Sequence, residues 1–203
     1  MNKNTNSEED KPINIYSKTS IIRTNNLNDN FNARLRKIIS GYNDDFNPLD
    51  LGNPSDILLS CGIPNLPIQM SVQRLVDKKL QTNHPFRLVS VTHMPDFLAN
   101  PIAIFQSKTS ASCKVILTEM EDKEINIVVP IEMNRMIGKS FVNSVRSIYP
   151  KDNIKDVLQW ICEFGLLEYC EKNKILNWLD KQQSNSADVI KLIKDSTKII
   201  NNF

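Results

Sequence analysis

Cys113-Lys114-Val115-Ile116-Leu117-Thr118-Glu119-Met120-Glu121-Asp122-Lys123-Glu124-Ile125-Asn126-Ile127-Val128-Val129-Pro130-Ile131-Glu132-Met133 is the stretch on which the fold turns. Two strand-sized runs, Cys113–Met120 and Ile125–Met133, stand on either side of the charged Glu121-Asp122-Lys123-Glu124. β-Branched and aromatic side chains suit a pleated, half-buried surface, and a short polar break between two such runs reads as a hairpin tip. Working outward, Ile102–Phe105 and Phe141–Ile148 have the same character. Four strands in succession, split by polar turns, predict a four-stranded antiparallel β-meander.

Helical patterns lie on both sides of it. Asn30–Gly41 spaces Phe31, Leu35, Ile38 and Ile39 on one face; Pro54–Cys61 follows a capping Asn53; Ser71 caps a third helix through Leu80. Pro95–Asn100 reads as a helical turn. After the strands come Asn153–Leu167, Glu171–Gln182 and Asn185–Ile200, each with an apolar stripe. Helices, then strands, then helices give an α+β fold with N-terminal helices, a four-stranded antiparallel meander and C-terminal helices, rather than alternating βαβ units. Residues 1–28 are dominated by Asn, Ser, Lys, Asp and Glu and read as a disordered polar tail, leaving 29–203 as a single globular domain.

The 203 residues carry a formal net charge of +2, far from the broad basic surface of a generic DNA binder. No apolar run approaches the ~18 residues a membrane span needs, and the N-terminus lacks the order of a signal peptide, so a cytoplasmic protein with no membrane partner is expected. Cys61, Cys113, Cys162 and Cys170 form no CxxC pair and sit in apolar segments, as reduced core thiols do. No metal site and no cofactor is expected from these cysteines or from His84 and His93.

Phosphate-binding glycine loops (GxxxxGK[ST], GxGxxG), a GxSxG elbow and HExxH are all missing from the sequence. Catalytic groups would therefore be scattered along the chain and gathered by the fold. His84, held out of helical geometry by Pro85, is a general acid or base by its chemistry near neutral pH, or else a structural histidine. His93, before Met94-Pro95, reads better as a capping or packing residue. Near the end of the fourth strand stand a guanidinium (Arg146), a hydroxyl (Ser147) and a phenol (Tyr149), groups that orient and neutralise a phosphodiester. Strict alternation would put Arg146 opposite Ser147 and Tyr149. Ser107-Lys108-Thr109 ends the first strand with hydroxyl and ammonium groups able to contact a phosphate, and Lys78 and Lys79 precede His84 by about one helical turn. These side chains also fit ordinary solvated positions. Glu119-Met120-Glu121 matches the Glu-x-Glu of ADP-ribosyltransferases, and Glu132 adds a third acid for a metal nuclease, but the companions of either site are poorly placed.

Leu51-Gly52-Asn53-Pro54-Ser55-Asp56-Ile57-Leu58, Asn83-His84-Pro85, Asn100-Pro101-Ile102-Ala103-Ile104-Phe105-Gln106-Ser107, Val142-Asn143-Ser144-Val145-Arg146-Ser147-Ile148-Tyr149 and Gly165-Leu166-Leu167-Glu168-Tyr169 together resemble the phage MuF C-terminal domain, over about residues 50–190. Such domains end large polyvalent proteins of prophages and conjugative elements, whereas here the domain would follow only a short polar tail. The resemblance implies a nuclease-like fold of the barnase, EndoU, colicin D and RelE superfamily, and a metal-independent endoribonuclease toxin in which the ribose 2′-OH attacks the adjacent phosphate. It implies His84 as acid or base, Ser147 and Tyr149 on the phosphate, Arg146 stabilising charge, and Ser107, Lys78 and Lys79 binding substrate. RNA is then the substrate, an immunity or antitoxin protein a partner, and the cytoplasm, the cell's own or a target's, the place of action. The competing expectations are a non-catalytic protein- or RNA-binding module and a phage assembly protein.

Overall fold

The computed structural model describes residues 15–42, 44–80, 86–151, 154–162 and 165–182, with side chains described except for 15–25, 78–80, 154 and 162. The central hairpin is where the sequence puts it. Strands β4 (Cys113–Asp122) and β5 (Ile125–Ile137) pair antiparallel, with Asp122 opposite Ile125 and the two-residue turn Lys123-Glu124 between them. Both turn residues have positive φ (51° and 66°), the backbone that matches a hairpin turn to the twist of its strands.

The expected four-stranded antiparallel meander is corrected by the rest of the sheet. Eight strands form one mixed sheet in the order β1-β2-β6-β5-β4-β3-β8, with β7 also pairing β5. The additional members are short: β1 (Leu49–Asp50), β2 (Ile68–Met70), β7 (Tyr149–Pro150) and β8 (Leu167–Cys170), beside β3 (Ala103–Gln106) and β6 (Ser140–Val145). Strand β2 runs parallel to β6, Ile68 opposite Asn143. Three residues are too few to show alternation in the sequence, and what secures them is tertiary. The Asn143 side chain is fully buried and donates to the carbonyls of Pro64 and Leu66 at 2.8 and 2.9 Å, while its backbone N–H donates to Pro67. One asparagine thereby ties an irregular proline-rich segment to the sheet, pairing the Leu66 carbonyl and adding a second donor to that of Pro64, which also accepts from the Leu66 N–H.

Helices cover both faces. On one side α1 (Ile15–Ser40), α2 (Asp56–Ser60), α3 (Val72–Leu80), a 3₁₀ turn (Leu88–Val91) and α4 (Met94–Ala99) bury Phe31, Leu35, Leu58, Leu75, Val91 and Leu98 against Ile104, Ile116, Ile127, Val129 and Ile131. On the other, α5 (Ile154–Cys162) and α6 (Lys172–Lys181) pack Val157, Ile161, Ile175, Trp178 and Leu179 on Phe105, Val115, Leu117 and Val128. A sheet buried on both faces explains why its central strands read as continuous apolar runs.

Helix boundaries shift accordingly. The first helix starts at Ile15, upstream of the Asn30 read from the sequence, and the one expected over Asn153–Leu167 stops at Cys162. Gly165, at φ +57°, lies between it and β8, which antiparallel pairing with β3 holds as an edge strand. The helix expected over Asn185–Ile200 lies outside the described residues. Among the described residues no helix is long and apolar enough to cross a membrane. Cys61, Cys113 and Cys170 are free thiols; Cys113 and Cys170 are buried, and burial, with Glu171 nearby, raises the Cys170 thiol to about 11.

Candidate active site

One row of paired residues crosses three strands and reaches the chain beyond β6: Phe105 opposite Val115, Val115 opposite Pro130, and the Arg146 N–H donating to the Pro130 carbonyl at 2.8 Å. At this row the sheet ladder breaks twice, and the breaks make the site. In an antiparallel hydrogen-bonded pair the two residues exchange two bonds. Pro130 has no N–H to return, so the Arg146 carbonyl is left without its ladder donor. The Arg74 guanidinium reaches over from α3 and donates to that carbonyl. A proline in a central strand, ordinarily costly, here opens a place for an arginine.

The second break is a bulge. Ile131 stands opposite Val145, yet Val128 stands opposite Tyr149, so β5 takes three steps where the facing chain takes four. The additional residue falls within Arg146-Ser147-Ile148, which belongs to no strand. Val145 and Ile148 both enter the core under α1–α4, three residues apart rather than two, and Tyr149 packs against the opposite core. Strict alternation through Arg146 therefore fails: Arg146, Ser147 and Tyr149 line the same cavity. Bulges of this kind re-aim side chains next to functional clefts.

That cavity, about 550 Å³, lies between the bulge, the 107–112 turn and α5. Its polar wall is Arg74, Ser107, Lys108, Arg146, Ser147 and Tyr149; Trp160, Val115, Pro130 and Leu166 supply the apolar part. The turn is organised by Gln106, whose Nε2 lies 3.1 Å from both the Ser110 and Cys113 carbonyls. The Gln106 Oε1 in turn accepts from Lys114 Nζ at 2.9 Å, and Lys114, buried, pairs with Glu168 at 2.5 Å.

The field of the cleft is positive although the whole chain is nearly neutral. Arg135 and Arg146 both contact Glu132 Oε2, at 3.0 and 3.2 Å, so a single carboxylate serves two guanidinium groups with Arg74 close by. Burial lowers the Arg74 pKa from its ordinary value, and the neighbouring Arg135 and Arg146 charges lower it further against the pull of Glu132. Tyr149 is pushed up, by burial and then by the Asp156 charge, so its phenol stays protonated at neutral pH.

Of the residues expected from sequence, the structure brings Ser107, Arg146, Ser147 and Tyr149 to one cavity wall. Lys78 and Lys79 lie on α3 with their side chains outside the described residues, and His84 lies outside them altogether. His93 is elsewhere: it precedes α4 in left-handed geometry, with its N–H donating to Asn32 Oδ1 at 3.0 Å. Glu119 and Glu121 pair with Lys174 and Lys181 at 2.5 and 2.8 Å and tie α6 to β4, away from the cleft. Among the described residues no group of three or more His, Cys, Asp or Glu is placed to hold a metal ion. Lys108, from the turn that ends the first strand, lines the same cavity. Arg74 is an addition to the sequence reading. Two signals pointed to Arg74: it precedes Lys78 by four residues on the same helix, and Pro130 interrupts a β-branched run.

The family described as the phage MuF C-terminal domain matches residues 75–177. The chain belongs to that family. The match covers half of the chain, less than the 50–190 span of the resemblance seen in the sequence. Apart from Arg74, every residue lining this cavity of the MuF C-terminal domain falls within it. No curated protein and no solved structure matches the chain significantly.

Proposed function

We propose that this MuF C-terminal domain is a metal-independent endoribonuclease toxin of a mobile genetic element, with the nuclease-like ancestry its sequence resemblance implies. The observation that carries the reading is the cavity wall: three cations and several hydroxyls converge there, with no carboxylate among its described lining. Such a wall suits a phosphodiester whose negative charge grows during reaction. A base takes the proton of the ribose 2′-OH, the oxygen attacks phosphorus, and the P–O5′ bond breaks. The 5′ oxygen leaves with a proton from an acid, and a 2′,3′-cyclic phosphate remains. Arg74 and Arg146 neutralise the pentacovalent charge; Ser147 and the protonated Tyr149 donate to its oxygens. His84, carried on the chain that follows α3, is the acid or base. RNA substrate, a neutralising immunity or antitoxin protein, and action in a cytoplasm belong to the same proposal.

The test is cleavage of a labelled RNA in EDTA by the purified protein. Arg146→Ala is expected to lower the rate by about 10²–10³-fold, as loss of one preorganised charge donor does. His84→Ala is expected to lower it by about 10²–10⁴-fold. Full activity of His84→Ala removes that residue from the mechanism. RNA capture without cleavage by the wild type would instead identify a binding module.

A further inference from the structure

A second cavity, about 490 Å³, adjoins the first and shares Arg74, Arg146 and Ser147 with it. The two hollows are thus halves of one groove, divided by the arginine pair that α3 and the bulge bring together. They differ in chemistry. On the α5 side the wall is aromatic and aliphatic: the half-buried Trp160 is steadied by the edge of Phe105, ring centroids 5.4 Å apart at 65°, with Lys151 Nζ 5.3 Å from its centroid. On the α3 side the wall is hydrogen-bonding: the exposed Gln73 donates to Asp77 Oδ1 at 2.7 Å.

We infer, resting on the endoribonuclease reading, that this groove takes single-stranded RNA, with the phosphate at Arg74 and Arg146, one base against Trp160 and the adjoining base edge toward Gln73 and Asp77. A phosphate between two hollows requires its flanking bases to splay to opposite sides. In an A-form duplex the bases are stacked and paired inward, and the readable groove offers sugar hydroxyls instead. An aromatic ring beside a cationic track is a sequence-tolerant platform, because every base has a π-face. The polar hollow has no such ring and suits the hydrogen-bonding edge of a base.

The experiment uses the full chain and three non-cleavable 2′-O-methyl probes: a short single strand, the same strand annealed to its complement, and a strand with abasic residues. Fluorescence anisotropy should show the base-bearing single strand binding about 10-fold tighter than either of the others. Trp160→Leu should erase the advantage over the abasic strand and leave abasic binding unchanged, which also reports that Arg74 and Arg146 are still in place. Equal affinity for single strand and duplex, or for base-bearing and abasic strands, overturns the groove assignment even where cleavage is observed. Cleavage of the unmodified strand in EDTA is followed in parallel. Base-dependent single-strand binding without cleavage supports the groove and overturns only the catalytic reading.

Discussion

Pro130 shows how a single missing donor shapes this site. The residue sits in a central strand, where its lack of an N–H leaves the Arg146 carbonyl to the Arg74 guanidinium. Restoring the donor should undo that arrangement. In Pro130→Ala the new N–H competes for the Arg146 carbonyl and completes the ladder pair, so Arg74 loses its anchor. A net hydrogen bond is worth about 1 kcal/mol, or roughly a fivefold change in an equilibrium. Affinity for an RNA strand is expected to fall about fivefold while the melting temperature holds or rises. A variant with unchanged affinity would show that Arg74 is oriented by something other than this carbonyl. The same residue explains why the candidate site was only partly legible in sequence. Ser107, Arg146, Ser147 and Tyr149 carry the right chemistry in the open, but the proline that admits Arg74 reads as an ordinary blemish in a β-branched run. The bulge that turns Arg146 toward Ser147 is a register shift between strands, which no single segment records.

At the scale of elements, the long strands were legible and the short ones were not. Cys113–Met120 and Ile125–Met133 announce their hairpin because each is long enough to show composition and a turn. Ile68–Met70 and Leu167–Cys170 become strands only because Asn143 and the β3 edge hold them, so their signal is tertiary. The hairpin tip is tied to the N-terminal layer by another such contact. Asp122, 2% exposed, accepts from Ser90 Oγ of the 3₁₀ turn and from Nε of Arg87, which caps that turn, each at 2.7 Å. Burial alone would raise its carboxyl, but the Arg87 and Ser90 bonds together outweigh it and hold the carboxyl below its ordinary value. A carboxylate with a depressed folded-state pKa stabilises the fold above its unfolded value, about 3.9, and the contribution fades as pH falls through the folded value. Asp122→Asn is therefore expected to destabilise the protein by about 1–3 kcal/mol at neutral pH, the cost of breaking a buried charged hydrogen bond. Its deficit should shrink as the pH is lowered below about 4. Urea unfolding of both proteins at pH 7 and pH 3 measures this; a deficit that stays constant across that range would show that the Asp122 charge is not the stabilising feature.

For the whole molecule, the decisive quantity is where the charge sits rather than how much there is. A formal net charge of +2 argues against a broad electrostatic footprint, yet Arg74, Lys108 and Arg146 meet at one cavity and Arg135 stands behind them on Glu132. Elsewhere Lys174 and Lys181 are taken by Glu119 and Glu121, and the buried Lys114 by Glu168. A strand held at one local cluster displaces few counterions. For single-stranded nucleic acid, log affinity falls with log salt at about −0.7 per phosphate neutralised, so one phosphate at the Arg74–Arg146 pair and a second at Lys108 predict a slope of about −1.4. Titrating a non-cleavable single strand between low and moderate salt measures it directly. A slope steeper than about −4 would mean that about six or more phosphates are engaged, and that the strand runs well beyond the groove. The double variant Arg74→Ala, Arg146→Ala makes the reading specific to the cluster, because loss of that phosphate contact should flatten the slope by about 0.7. An unchanged slope in that variant would place the phosphate contacts elsewhere on the surface.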